Sequence, residues 1–337
     1  MTNKCYIQLY SPNKAKNDLD DLMRMDRWRN IGSVNTKSGK IKKFFVKLGI
    51  IARLPFLLRP HELLLIQYPF KKYYNFICRI AHWKQVKVVV LIHDLGSFRR
   101  HKLTVQQEVQ KLELADYVIV HNEAMRQWLL DRGCRVPMGN LEIFDYLSET
   151  KAIQENPIND HPVVIYAGGL GIRKNAFLYQ LDEHISTYEM EVYGNGLDMD
   201  LAKEWKHIHY KGFMPSDQLI KTNRGHFGLV WDGDSMDGCS GNWGEYLKYN
   251  NPHKTSFYIR CHLPIIIWNK AALAPFIRKH HIGICVDSVK DIDRCIREIS
   301  AEEYEEIRHN VIAMSKRLSE GYYFHQAIDK ACKVLNK

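Results

Sequence analysis

Apolar residues in this chain come in short unbroken runs rather than in strict alternation. Residues 5–10, 62–67, 87–92 and 117–120 are β-branched or Leu-rich and apolar on both faces. Parallel strands covered by helices have this character. Between the runs the period changes to that of a helix. Thr104-Val-Gln-Gln107 has the spacing of a capping box, and the helix it opens is expected to bury Val105, Val109 and Leu112. Residues 148–162 then turn polar, with two prolines and no period, which marks a linker. Apolar runs resume at 163–167, 190–193, 207–210, 227–231, 264–268 and 282–286. Ser300-Ala-Glu-Glu303 opens a helix in which Tyr304, Ile307, Val311, Met314 and Leu318 recur at three and four residues.

Two βαβ halves joined by one linker predict an α/β protein of two Rossmann-like domains facing a central cleft. The expected boundaries are 1–150 and 151–320, with a closing helix in 321–337 that crosses back to the first domain. A chain of 337 residues with 45% hydrophobic content can fill two cores. In sheets of this kind, ligands bind beyond the carboxyl ends of the strands. The residues after each strand are therefore the ones to read.

Charge narrows the partners. The formal net charge is +10, which suits nucleic acid, an anionic membrane face or an anionic substrate. No zinc-finger spacing, aromatic RNP-like strand or long basic run supports nucleic acid. Eight scattered cysteines, none in a C-x-x-C pair, read as reduced thiols of a cytoplasmic protein. The first ten residues lack the pattern of a signal peptide. No apolar run is long enough to span a bilayer. Residues 41–58, with Lys42, Lys43, Lys47, Arg53 and Arg59 nearby among Phe, Leu and Ile, read either as a basic amphipathic helix on an anionic membrane or as a core-facing helix with solvated lysines.

The candidate chemistry is richest in the second half. Asn250-Asn251-Pro252-His253-Lys254 leads into a helix and then an apolar strand. His253 and Lys254 would stand at a helix entrance, where open N–H groups and the macrodipole already favour an anion. Gly168-Gly169 is followed by Arg173 and Lys174. It reads as a tight turn or as a diphosphate contact, with Arg173 the forked donor and Lys174 facing solvent. Tyr193-Gly194-Asn195-Gly196 reads as a plain turn or as one admitting a base or ribose. Asp232-Gly-Asp234 can be a metal-binding pair or an acidic loop. Asp198-Met-Asp200 and Asp291-Ile-Asp293 show how cheaply that spacing arises. The stretch from Asp237 to Tyr246 is glycine-rich and reads as a mobile loop, possible as a lid. In the first half, Asp94 follows the third strand beside His93. It is either a base for an acceptor hydroxyl or a helix cap. His121-Asn122-Glu123 after the fourth strand, with the same capping alternative, and Asp18 in a loop after the first strand are further candidates.

Taken in order, His93-Asp94-Leu95, Val120-His121-Asn122, Gly168-Gly169, Tyr193-Gly194-Asn195-Gly196, Val230-Trp231-Asp232-Gly233 and Asn251-Pro252-His253-Lys254 give the chain a family likeness. It resembles bacterial GT-B glycosyltransferases of the type that includes β-1,6-galactofuranosyltransferases and the accessory glucosyltransferases of adhesin glycosylation. The resemblance implies a UDP-sugar donor held mostly by the C-terminal domain, no tightly bound cofactor or metal, and inversion at the anomeric centre. It implies Gly169, Arg173, Tyr193, Gly194, Asn250, His253 and Lys254 at the donor and Asp94 near the acceptor, a glycan or a lipid-linked glycan. It leaves galactofuranose or glucose open, as it does a homo-oligomer. The rival readings are a non-catalytic nucleotide-sugar-binding protein and a metal-dependent transferase using Asp232 and Asp234. Cys261-His262 before Leu263-Pro264 is bulkier than the small residues expected at that turn.

Overall fold

The computed structural model describes residues 3–32, 40–70, 72–98 and 102–336, without the side chains of residues 40–47. Arg99, and the side chains of Lys42 and Lys43, Phe44, Phe45 and Lys47 in the basic stretch, lie outside the described residues. The chain forms two compact units, residues 1–141 with 323–337, and residues 142–322.

Unit 1 is built on a six-stranded parallel sheet of β1 (Lys4–Tyr6), β2 (Arg29–Asn30), β3 (Leu63–Tyr68), β4 (Lys87–Ile92), β5 (Tyr117–Val120) and β6 (Met138–Asn140), in the order β2-β1-β3-β4-β5-β6. β3 and β4 are buried along almost their whole length, which is why they read as continuous apolar runs. The first run is shorter than expected, ending at Tyr6, and β2 and β6 are too short to show as apolar runs. The closing helix Tyr322–Leu335 contributes residues 323–335 to this unit, with Phe324 against Trp28 at 5.9 Å and His325 bonded to Asp26 at 3.0 Å.

Unit 2 has a second six-stranded parallel sheet of β7 (Val163–Gly169), β8 (Glu189–Asn195), β9 (Ile208–Tyr210), β10 (Phe227–Val230), β11 (Ile265–Trp268) and β12 (Gly283–Val286), in the order β12-β11-β10-β7-β8-β9. The direction of winding reverses between β7 and β10. That switch point leaves a crevice beyond their carboxyl ends. The polar residues 148–162 lie inside unit 2, and the chain changes unit earlier, between Leu141 and Glu142. Arg260 holds that polar stretch by donating to Ser148 O at 2.8 Å, and His262 by bonding to Ile153 O at 3.1 Å. His262 also takes the left-handed turn conformation, φ 59°, so the bulky Cys261-His262 pair is accommodated by side-chain anchoring.

Caps fall where the sequence placed them. Thr104 Oγ1 accepts from Gln107 N at 3.2 Å while Gln107 Oε1 accepts from Thr104 N at 3.0 Å. Ser300 Oγ accepts from Glu303 N at 3.1 Å, opening helix Ala301–Ser319, whose stripe from Tyr304 to Leu318 is buried. In helix Val105–Leu112, Val109 and Leu112 are buried but Val105 is only partly so, and Glu108 is the third fully buried side chain.

Candidate functional site

The switch point of unit 2 carries the most organised polar cluster. β7 and β8 run on through their glycines, with Gly168 opposite Gly194 and Gly169 opposite Asn195. The expected turns are therefore strand ends. Gly168 and Gly194 have φ 149° and 147°, and a Cβ on Gly194 would strike the carbonyl oxygen of Gly168. Only glycine permits this close pairing and the bare backbone it leaves at the edge. Beyond it lies a concavity of about 500 Å³, a volume suited to a small-molecule ligand. Gly168, Gly169, Tyr193 and Gly194 line it, with Tyr146 and Phe257 adding aromatic faces and His253 and Lys254 polar heads.

His253 and Lys254 open helix His253–Arg260, which begins after Pro252 without any side-chain cap. The imidazole of His253 stacks on Tyr146 at 4.9 Å and 23°. Lys254 is almost buried and its Nζ lies 3.0 Å from Asp232 Oδ1, 3.2 Å from the Tyr166 hydroxyl and 4.3 Å from the centre of that ring. Lys174 Nζ reaches the same Asp232 oxygen at 3.2 Å. One buried carboxylate thus sits between two ammonium groups, leaving a net positive charge beside the cavity. Burial lowers the pKa of Lys254 to about 8, against the pull of Asp232 and with Lys174 adding to the depression. Burial would raise Asp232, but Lys254 and Lys174 outweigh it and hold the carboxyl below its ordinary value. Tyr166 fixes the cluster from the floor. Its hydroxyl is 2.6 Å from Asn175 Oδ1, and Asn175 donates in turn to Gly169 O.

The structure corrects several expectations here. Lys174 turns inward to the carboxylate and Arg173 is exposed, the reverse of the assignment from sequence, because the short helix Ile172–Asn175 points Lys174 at Asp232. Asp232 is occupied by two cations, whereas Asp234 is at the surface and accepts from Ser240 Oγ, so the pair does not act together on the side chains described. Asp198 caps its helix and Asp293 accepts from Ser186 and Thr187. The glycine-rich loop is tied down. Met236 is bonded through Val289 N and Ser288 Oγ, both at 2.9 Å, Asp237 pairs with Lys290 at 3.0 Å, and Cys239 is buried. Asn250 stands in the segment just before the helix, half-buried, with its Oδ1 enclosed. Tyr193 lines the cavity while its hydroxyl donates to Glu191 at 2.5 Å.

In unit 1 the carboxyl edge is organised differently. No helix starts at Asp94; the next begins at Val105, so the capping alternative fails. Asp94 sits half-buried in the loop after β4, and that loop is pinned from below by Glu108. The Glu108 carboxylate accepts from the Tyr68 hydroxyl, Gly96 N and Ser97 N, each at 2.8 Å, and from Ser97 Oγ at 2.5 Å. The Gln67 amide donates to Lys16 O at 3.2 Å and Asp20 Oδ1 at 2.7 Å, which leaves its oxygen for His93 Nε2 at 2.7 Å. A carbonyl can only accept, so this orientation sets His93 in the Nε2–H tautomer. Asp18 is not in a loop but inside helix Lys14–Met25, buried and paired with Lys14 at 2.6 Å. His121 is buried on Ile92 O at 3.0 Å and Asn122 caps helix Glu123–Leu130, so the capping alternative holds there. A larger concavity in unit 1, about 760 Å³, lies at the amino ends of β1 and β2, where Arg29 already pairs with Glu62. That is the edge of the sheet away from the one such folds use for ligands.

Glu108, Tyr166 and Gln67 escaped the sequence reading, and Lys174 was read as facing solvent. Glu108 alone left a signal, since it falls on the same helical stripe as Val105, Val109 and Leu112.

Among the described residues there is no group of three or more His, Cys, Asp or Glu side chains arranged for a metal, and no helix is long and apolar enough to cross a membrane. The eight cysteines are unpaired thiols.

Comparison with known proteins gives a consistent result. The model for the glucosyltransferase 3-like C-terminal domain matches residues 164–331 and that for the N-terminal domain matches residues 8–143. The chain is 32% identical over 272 residues to the β-1,6-galactofuranosyltransferase WbbI of Escherichia coli K12, covering 80% of this chain and 78% of that protein. It is 24% identical over 257 residues to glucosyltransferase 3 of Streptococcus gordonii, covering 75% and 73%. Among solved structures it is similar to the apo form of the lipopolysaccharide outer core galactosyltransferase WaaB, with TM-score 0.63, 11% identity, and 97% and 99% of the two chains covered. It is also similar to a glycosyltransferase from Rickettsia africae ESF-5, with TM-score 0.58, 10% identity, and 99% and 98% of the two chains covered. Those two structures share the two-unit Rossmann-like, GT-B fold.

Proposed function

The chain belongs to the glucosyltransferase 3-like family of glycosyltransferases, and on that footing we propose that it moves a hexose from a UDP-sugar to an acceptor sugar hydroxyl during surface-glycan assembly. Galactofuranose is the favoured sugar, since the relative at 32% identity is named for that transfer, and glucose is the second. Unit 2 holds the donor. The observation that carries this assignment is the cavity at the ends of β7 and β8, where glycine backbone meets a helix N-terminus carrying Lys254, whose ammonium pairs behind it with Asp232, an oxygen that Lys174 shares. A diphosphate brings negative charge that grows on the leaving group as the glycosidic bond breaks. Fixed cations beside it stabilise that charge more in the transition state than in the bound donor. Tyr146, Tyr193 and Phe257 offer faces for the base or ribose. The acceptor, a glycan or lipid-linked glycan, is assigned to unit 1, with Asp94 taking the hydroxyl proton and the product inverted.

This reading needs no metal, because Lys254 and Lys174 supply the charge a divalent ion would. The metal-dependent alternative requires Asp232 to leave both lysines. A thermal-shift panel of UDP, GDP and ADP tests the donor assignment. UDP at about a hundred times its dissociation constant adds roughly 2.7 kcal/mol and raises the melting temperature. Equal shifts from all three nucleotides, or none, would remove the UDP-sugar from the proposal. Release of UDP from a UDP-sugar in the presence of acceptor separates a transferase from a binding protein, and loss of that release in EDTA with recovery in Mn²⁺ would favour the metal-dependent route.

A further inference from the structure

Residues 40–85 hold ten of the chain's 48 Lys and Arg but one of its 38 Asp and Glu. Nearly all of the net charge of +10 therefore resides in this one stretch of unit 1. The single carboxylate, Glu62, is buried and paired with Arg29, so it neutralises nothing at the surface.

The stretch contains two helices, Lys40–Leu57 and Tyr74–Trp83, which lead into β3 and β4 and pack against one another. Both crossovers step the same way across the sheet, so right-handed connections put them on the same face. Both end at the amino edge of the strands they enter. There the surface is strongly apolar. Phe56 is 87% exposed and Trp83 71%, one in the last turn of each helix. Leu48 and Phe76, at 41% and 46%, stand two turns earlier and continue each stripe. Arg53, Arg59 and Arg79 are exposed among them, and Lys84 lies 5.7 Å from the Trp83 ring. Asp116, which reaches this edge from the start of β5, is already matched by Lys87 and His82.

We propose that this face docks on a bilayer surface bearing anionic lipid headgroups, with Phe56 and Trp83 entering the interface and Arg53, Arg59, Arg79 and Lys84 meeting the phosphates. The combination decides the occupant. Large aromatic side chains left in water at such exposure mark a contact surface, and aromatic rings flanked by cations suit the headgroup layer. A second copy of this chain would bring like charge against like charge. Nucleic acid would use the cations but leave the aliphatic Leu48 and the edge of Phe56 unrewarded. The surface is independent of the donor cavity in unit 2, and its test does not depend on the transfer reaction.

Sedimentation of the full chain with phosphatidylcholine vesicles, with and without phosphatidylglycerol, reads the interaction directly. The expected result is binding to the anionic vesicles, weak binding to the neutral ones, and release by high salt. The triple variant R53Q/R59Q/R79Q should lower partitioning about a hundredfold, since each basic residue near a charged leaflet contributes roughly fivefold. The variant F56S/W83S should lose binding that lowering the salt does not restore. All five positions are exposed, and unchanged circular dichroism and melting confirm that the variants fold. Failure of the full chain to sediment with anionic vesicles overturns the proposal, as does sedimentation of both variants at the level of the parent. Binding to tRNA but not to vesicles, or a dimer that F56S/W83S dissociates without vesicle binding, assigns the face to another occupant and overturns it as well.

Discussion

The two sheets are both six-stranded and parallel, yet their carboxyl edges settle charge in opposite ways. In unit 2 the edge is bare glycine backbone, and the carboxylate beside it is held by two lysines, so the site carries a fixed positive charge. In unit 1 the edge gathers Asp20, Gln67, His93 and Asp94, and Asp20 and His93 are joined through the neutral Gln67 amide. One edge presents cations suited to an anion; the other presents carboxyl groups, one of them raised enough to keep its proton near neutral pH. The shared architecture does not decide which; the few residues that follow each strand do.

The largest expected effect breaks the ion cluster of unit 2. Asp232→Ala leaves two ammonium groups without their carboxylate, and removing one partner of a buried pair costs about 3–5 kcal/mol. Denaturant unfolding measures the loss. If a diphosphate takes the place of the missing carboxylate, UDP should stabilise the variant more than it stabilises the parent. An equal UDP effect on both would mean that the lysines do not face the diphosphate, and the contrast between the two edges would lose its functional meaning.

Next in size is Lys254→Ala, which removes the buried ammonium at the helix entrance. Turnover of the UDP-sugar should fall by about 10²–10³, the usual effect of deleting one preorganised group that stabilises developing negative charge. The same lysine predicts a pH effect. Burial brings its pKa to about 8, so the ammonium loses its proton as pH rises through that value and kcat/KM should decline on the alkaline side. Near-parental turnover by the variant would refute the role.

Much of this was legible in the sequence, and the reason differs by feature. Strands covered on both faces must be apolar throughout, so β3, β4, β5 and β11 could be read from composition alone. Local caps such as Thr104 and Ser300 need only neighbours in the chain. The position of Gly168-Gly169 and His253-Lys254 at strand and helix ends was visible for the same reason. What could not be read was pairing over distance. Lys174 and Lys254 meet at Asp232 only because β7, β10 and the helix at His253 converge at the switch point, and no spacing encodes that convergence. The choice between Arg173 and Lys174 rests on one step of helix rotation. Glu108 shares the apolar stripe of its helix, but the four donors arriving from two other segments that make it a buried anchor are not encoded in its neighbours.

The smallest expected effect probes unit 1 and is a matter of titration. Burial, with Asp21 adding to it, raises the Asp20 carboxyl to about 7, against the pull of Lys16 and the hydrogen bond from Gln67. The folded chain then keeps a proton on Asp20 at pH values where the unfolded chain has released it. Stability contributed by this group is therefore present at acid pH and lost as pH rises from the ordinary carboxylate value toward 7. Asp20→Asn removes the titration and keeps an oxygen to accept from Gln67. The stability of the variant relative to the parent should rise across that window. The full shift corresponds to ~4 kcal/mol, and screening near the sheet edge brings the expected change to about 2 kcal/mol. Urea unfolding of both proteins at several pH values between about 4 and 8 measures it. A flat difference would mean that Asp20 stays ionised throughout. Unit 1 would then hold a fixed charge at its edge as unit 2 does, and the division between an anion-holding and a proton-holding sheet would collapse. A rise confined to the predicted window ties the difference between the units to what neutralises each buried carboxylate: two ammonium groups at Asp232, and an amide with its own proton at Asp20.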